Sequence, residues 1–448
     1  MRQAHTRTMS SAAAVLLLVS SLGAQQGTAP ALGTWGHWRG PSQTGVAPGA
    51  APVRWSDTSN IAWKVEIPGR GHSSPVIWGD RIFVTTAVPT GRPAEPASAS
   101  GGRGGFRGDG GAGAREEHRF EVLALDRASG TIVWRQTAAT AVPHEGYHAT
   151  YGSFASNSPT TDGQRVYVSF GSRGLFAYDM NGTLLWQRDF NIQMRMFQEF
   201  GEGVGPVLDE GRLIALFDHE GNGLLAMLDA ATGREIWRTP RTDGTNWAAP
   251  LVVRHEGRKQ IVVNSPRKVR GYDYESGKQI WETAGLGLNT IPRAVQHGDS
   301  VLVMSGFINP ALLAIRLGRE GDLAGTDAIK WTANRGLAYT TSPVLHEGRL
   351  YFLTDNGMVS AIEADTGTPI YQQVRLPKPA AIKASPVAAG GMLYFPTEDG
   401  DVVVARIGPT LDVLATNTLT DQSFVASPAV AGGDIFLRSR THLFRVRQ

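Results

Sequence analysis

The chain of 448 residues contains no cysteine. That excludes disulfides, thiolate-bound zinc, haem attachment through Cys and a lipid-bearing Cys. It leaves export open, because disulfides are optional outside the cytoplasm. An excess of one charge sign is also missing, with 43 Lys and Arg against 40 Asp and Glu. No basic run forms a patch, so nucleic-acid binding has no electrostatic basis. Long apolar runs are absent too. The N-terminal one, Ala12–Val19, falls well short of the roughly 20 residues that a spanning helix needs. Arg2 and Arg7 precede this run, and small residues follow it up to Gly23 and Ala24. Residues 1–24 are therefore expected to be a cleaved signal peptide. The mature chain is then nearly neutral, without a membrane span, and periplasmic or secreted.

What is present is a repeat. A small residue and Pro, an apolar run, a Gly turn, a second apolar run, Asp-x-x-(Thr/Ser)-Gly and a Trp recur about every 45 residues. The clearest tails are LDRASGTIVW (Leu125 to Trp134), LDAATGREIW (Leu228 to Trp237) and YDYESGKQIW (Tyr272 to Trp281). No helical period accompanies them. Short strands repeated at this spacing predict a radial array of four-stranded blades, an all-β propeller. Inner strands open at Ser73, Asn157, Val204, Ala248, Ile291, Thr341, Ala384 and Ala426, which predicts eight blades. The last repeat ends at Gln448 without an outer strand, while Ile61 to Pro68 has that look and no blade of its own. The N-terminal strand is therefore expected to complete blade 8 and close the ring, so that no edge is left open. Trp63, Trp134, Trp186, Trp237, Trp281 and Trp331 then share one position, with Tyr371 in blade 6 and Leu414 in blade 7. These rings read as glue between neighbouring blades, each N–H reaching a backbone carbonyl.

The domain boundaries follow. Residues 1–24 are the signal, 25–60 a strap packed along the ring, and 61–448 one toroidal domain. Within blade 1, residues 89–119 form a Gly-rich insert that cannot bury enough apolar area to order itself. The connector Asn191 to Glu202 carries Met194, Met196, Phe197 and Phe200. It is either a contact surface or a segment folded back over the ring.

The Asp-x-x-Thr-Gly-x-x-x-Trp tails resemble the repeats of pyrroloquinoline-quinone-type propellers over nearly the whole mature chain. The resemblance implies one of two branches. One is the quinoprotein alcohol and sugar dehydrogenases. The other is a non-enzymatic propeller lipoprotein that assists outer-membrane barrel assembly. The segments WRGPSQTGVAP, PGRGHSSPV, FDHEGNGLLAMLDAATGREIW and VLATNTL look more like exported propellers of this type without an assigned activity. The chain departs from both branches, lacking the adjacent cysteines of the alcohol dehydrogenases and the lipid-bearing Cys of the assembly lipoprotein.

Loops that precede the inner strands open on the mouth of a propeller's channel. They supply His72, Asn157, Glu202, Asn246, Trp247, Asn289, Thr290, Tyr339, Lys383 and Phe424. A flat aromatic group could stack on Trp247, with Asn246 and Asn289 as amide donors and Lys383 against an anionic edge. Glu202 with Asn oxygens could take a hard cation. The same residues could equally satisfy backbone around a water-filled channel. His144 and His148 are four apart but flank a Gly, which predicts a loop rather than helical metal-ligand geometry. Asp218, His219 and Glu220 read as a polar turn, and Arg267, Lys268 and Arg270 as exposed turn charges. With no matched catalytic set, the expected function is a monomeric, cofactor-free binding or assembly scaffold whose partners are envelope proteins. The alternative is an oxidoreductase of alcohols or sugars using pyrroloquinoline quinone with Ca2+. A glycan-binding propeller is a third class.

Overall fold

A computed structural model describes Met1 and residues 33–94, 111–113 and 115–448. The expected signal peptide, the first part of the strap and the centre of the Gly-rich insert lie outside the described residues. The described chain is almost wholly β, arranged as eight sheets. Each contains an antiparallel four-stranded blade with its strands in sequence order, apart from the last, and two sheets carry a short fifth strand in parallel. Blade 1 runs Val76–Trp78, Arg81–Pro93, Glu116–Asp126 and Ile132–Ala141. In blade 8 the fourth strand is Ile61–Glu66, antiparallel to His442–Val446. The N-terminal strand thus closes the ring.

The repeat's chemistry explains the blade. In the turn before the outer strand of blades 1 to 4 the Asp accepts from the residues that follow. Asp126 takes the N–H and hydroxyl of Ser129, both at 2.8 Å. Asp229 takes the same two groups of Thr232, at 2.9 and 2.7 Å. These bonds hold both carboxyls below the usual range. The Gly that ends the turn lets the next blade's edge meet a Trp. Gly233 has φ of +70°, and a Cβ there would fall 2.7 Å from the ring of Trp186. The same juxtaposition recurs for Trp63 on Gly130, Trp134 on Gly182, Trp237 on Gly277 and Trp331 on Gly367. Four of these rings also donate Nε1–H to a carbonyl of that next turn: Trp63 to Arg127, Trp134 to Met180, Trp186 to Ala230 and Trp237 to Tyr274, at 3.0–3.1 Å. Each Trp is thus a clamp from one blade to the next.

Two positions differ from the sequence reading. Trp281 is buried in the apolar cluster between blades 4 and 5, but its N–H turns back to its own blade, donating to Gln260 Oε1 at 2.9 Å. The following blade has no Asp-x-x-Thr-Gly turn to receive it. There Gly321–Asp322 instead lies parallel to Trp281–Glu282 as a fifth strand. In blade 7 the register places Ala415, not Leu414, at the clamp position. Val404 pairs with Ala415 and Ala405 with Val413, so Leu414 is the bulged residue. Trp55 of the strap is buried in the same apolar cluster as Ala415.

Both ends of the expected insert 89–119 are paired as strand. Val88 pairs with Arg119, Pro89 with His118 and Pro93 with Glu116. The strap does more than follow the ring. Trp35 pairs with Ile77 of blade 1, and the carbonyl of Gly36 accepts from Thr160 and Thr161 of blade 2. Arg39 then donates to the carbonyls of Pro386 and Pro343, at 2.7 and 2.8 Å, in blades 7 and 6. Val46–Ala47 runs parallel to Ala388–Ala389 of blade 7. In an eight-bladed ring those partners lie on opposite sides, so the strap crosses the central channel.

Candidate functional site

The channel mouth is built from the residue preceding each inner-strand proline. Ser74, Ser158, Gly205, Ala249, Ile291, Ser342, Ser385 and Ser427, one per blade, line a cavity of about 230 Å³. The serines are linked in series. Ser342 N–H donates to Ser385 Oγ, Ser385 N–H to Ser427 Oγ, Ser427 N–H to Ser74 Oγ and Ser74 N–H to Ser158 Oγ, at 2.9–3.0 Å. These bonds tie five blades together, including the junction of blade 8 with blade 1. Their hydroxyls are therefore acceptors in the fold rather than free nucleophiles. Trp38 of the strap lines the same cavity.

Five of the expected mouth residues meet here: His72, Glu202, Trp247, Tyr339 and Lys383. Burial drives the His72 imidazole down to about 3, and its Nδ1 bonds the carbonyl of Tyr151 at 2.9 Å. His72 is thus neutral near pH 7. Lys383 pairs with Asp355 at 2.6 Å and lies over the ring of Tyr151. Trp247 donates Nε1–H to Gly201 at 2.8 Å. Glu202 accepts from the N–H and hydroxyl of Ser172, at 2.7 and 2.5 Å.

The other expected residues sit elsewhere. Asn246 is buried; its amide donates to Asp218 at 3.2 Å and its oxygen accepts from Ala248 N–H at 2.8 Å. Thr290 is buried and bonds Asn246 Oδ1 at 3.4 Å. Asn289 turns its amide to the hydroxyl of Tyr339 at 3.3 Å. Asn157 bridges to the carbonyl of Val204 at 3.0 Å, and Phe424 lies in the core. Tyr151, Phe200 and Trp38 line the cavity without having been picked out for it. The recurrent residue-Pro step marks the serine ring in the sequence. No local signal marks the strap's crossing.

Asp218, His219 and Glu220 diverge. Asp218 forms a buried bidentate pair with Arg241 at 2.7 and 2.8 Å. His219 accepts from Arg195 N–H, and Glu220 from Thr245 N–H. Lys268 and Arg270 are strand residues paired with Glu282 at 2.8 and 3.0 Å, which corrects their reading as turn charges. The connector from Asn191 folds back over the ring, with Met194 and Met196 buried in the core between blades 2 and 3.

Flat faces at Trp38 and Trp247 suit an aromatic ligand. Pyrroloquinoline quinone is a flat polycarboxylate, and the charge here does not match it. The one lining ammonium is neutralised by Asp355, His72 is neutral, and Glu202 adds an acid. The amides of Asn246 and Asn289 face other protein groups, so of the expected amides only Asn157 lines a cavity with Glu202, beside the mouth rather than in it. The charge of the mouth therefore does not fit the quinone.

A family model described as outer membrane protein assembly factor BamB matches residues 94–197, 118–283 and 174–406. The outer membrane protein assembly factor BamB of Yersinia pestis is 29% identical over 189 residues, 39% of this chain and 46% of that protein. The match thus spans less than half of that curated relative's length. Among solved structures, BamB from Moraxella catarrhalis aligns with a TM-score of 0.52 at 13% identity, covering 73% of this chain and 91% of that one. A europium-containing methanol dehydrogenase aligns with a TM-score of 0.60 at 11% identity, covering 91% and 89%. At these identities the two structures establish the fold alone.

Proposed function

The chain belongs to the outer membrane protein assembly factor BamB family, and from that membership we propose that it is a non-catalytic scaffold for protein assembly in the cell envelope. One observation carries the proposal beyond kinship. Most polar side chains of the channel mouth are engaged with protein groups: Glu202 with Ser172, Lys383 with Asp355, Asn289 with Tyr339 and five serines in series, while His72 Nε2 is left without a partner among the described residues. A mouth engaged in this way, and crossed by the strap, suits recognition by surface loops better than chemistry in a channel. Exposed Phe197 and Ile308 stand near that mouth. Phe197 is three residues before Phe200, which lines the cavity, and Ile308 adjoins Phe307, which stacks on Tyr339. The remaining parts of the reading are the cleaved signal at residues 1–24, the strap at 25–60 and the ring at 61–448. Among the described residues no helix is long and apolar enough to cross a membrane.

Affinity capture of the mature chain from an envelope extract tests this reading. Stoichiometric recovery of an outer-membrane assembly component supports it. Recovery of nothing beyond a Phe197→Asp, Ile308→Asp control counts against it. A quinone-dependent oxidoreductase is the second reading, favoured by the aromatic cavity and opposed by its charge. Titration with pyrroloquinoline quinone and Ca2+, followed by Trp fluorescence, separates the two.

A further inference from the structure

Beside the mouth lies a second, smaller cavity of about 30 Å³, lined by His144, Glu145, Asn157, Ser172 and Glu202 among others. It has the volume of a single small species. His144, Glu145 and Glu202 each offer one ligand atom here, all within 4.8 Å of one another. They come from two loops, since Pro143–Gly146 joins blades 1 and 2 while Glu202 ends the connector between blades 2 and 3. The two histidines of the first loop part company. His148 stacks on Tyr151 with centroids 3.5 Å apart, whereas His144 Nε2 reaches the carbonyl of Met194 at 2.7 Å and Glu202 Oε1 at 3.9 Å.

We infer that His144, Glu145 and Glu202 form a binding site for one divalent transition-metal ion. Two carboxylates share this pocket and accept from neutral donors, while the guanidinium of Arg173 lines the same cavity without reaching ion-pair distance of either. Glu145 accepts from Met196 N–H at 3.0 and 3.1 Å, and Glu202 from Ser172. Neither has an Arg or Lys within ion-pair distance among the described residues; the one pairing is that of Glu202 with His144. Burial accordingly pushes Glu145 up to about 8 and raises Glu202. A divalent ion held between them would satisfy both acids. One imidazole with two carboxylates favours Zn2+, Co2+ or Mn2+ over Ca2+ and Mg2+, which prefer all-oxygen shells. Ligation through Nε2 moves that ring's proton to Nδ1 and releases its bond to Met194. Because Glu202 lines both cavities, a bound ion also fixes one wall of the mouth, beside Gly201, which holds the Trp247 indole.

The test uses untagged mature protein stripped with chelator and titrated with Zn2+ alone by calorimetry. One ion per chain is expected, with Ca2+ bound more weakly and a change in Trp fluorescence on zinc addition. His144→Ala and Glu145→Gln should each weaken binding at least about tenfold, since even losing an outer partner of a ligand costs that much. His144 makes a single hydrogen bond to the protein, so its variant keeps the fold, checked by circular dichroism. Co2+ should give visible bands in the native chain that His144→Ala abolishes. No zinc uptake, or uptake unchanged in the double variant, overturns the site. Neither result depends on the scaffold reading.

Discussion

The interblade clamp makes the sharpest stability prediction, and Trp186→Ala is the perturbation. The ring lies between Tyr167 of its own blade, 6.1 Å between centroids, and Gly233 of the next. Its Nε1–H is bonded to Ala230, a residue 1% exposed. Full burial would set the loss at about 3–5 kcal/mol. The Trp186 ring is only half-buried, which lowers the apolar part. The buried carbonyl of Ala230 is left without its donor, which adds about 1–3 kcal/mol. The two together point to roughly 3 kcal/mol. Urea unfolding followed by far-UV circular dichroism measures it, with Leu184→Ala, at an exposed outer-strand position, as the control. Gly233→Ala should also destabilise, because φ of +70° and a 2.7 Å approach to the ring both oppose a Cβ. The double variant should then cost clearly less than the sum, because removing the ring relieves the clash. A Trp186→Ala loss under about 1 kcal/mol, or strict additivity with Gly233→Ala, refutes the clamp.

Other predictions concern the channel. Arg39→Met strips two buried carbonyls, those of Pro343 and Pro386, of their donors, and should cost about 2–4 kcal/mol in urea unfolding. The guanidinium is charged although burial lowers its affinity for the proton. Ser427→Ala leaves the Ser385 N–H unpaired at the blade 7–8 junction, for about 1–3 kcal/mol in the same assay. His72 has a folded value of about 3, against roughly 6.5 in the unfolded chain. The unfolded state therefore takes the proton first. The contribution of His72 is full above about pH 6.5 and falls as pH drops toward 3, by roughly 1–2 kcal/mol at pH 5. Buried His37 works in the same direction. His72→Asn should flatten the fall in urea midpoint between pH 7.5 and 5, and an unchanged fall would contradict the assignment.

Much of the ring was legible in the sequence because its clamps are periodic. Trp and the Asp-x-x-Thr-Gly turn each recur, and each pair is an interface between consecutive blades. The N-terminal strand was legible because the last repeat lacks an outer strand that Ile61–Glu66 can supply. Where the period fails, the reading fails with it. Trp281 has no glycine turn to meet, and the bulge that moves the clamp to Ala415 depends on hydrogen-bond register. The strap's crossing depends on contacts between residues hundreds of positions apart, such as Arg39 with Pro386. The mouth was legible in part. Loop position brought His72, Glu202, Trp247, Tyr339 and Lys383 together, but composition could not reveal that Asn246 turns toward Asp218. Glu145 went unnoticed because only the folded connector brings it near Glu202.

Engagement of an envelope protein by the mouth face is the most direct consequence of the scaffold role. Site-specific photo-cross-linkers at Phe197 and Ile308, with Leu184 on the outer rim as reference, test this in cells. The account predicts a discrete adduct with an outer-membrane assembly component from the two mouth-face positions and not from Leu184. No adduct from either position, together with saturable quinone uptake by the purified chain, would contradict it.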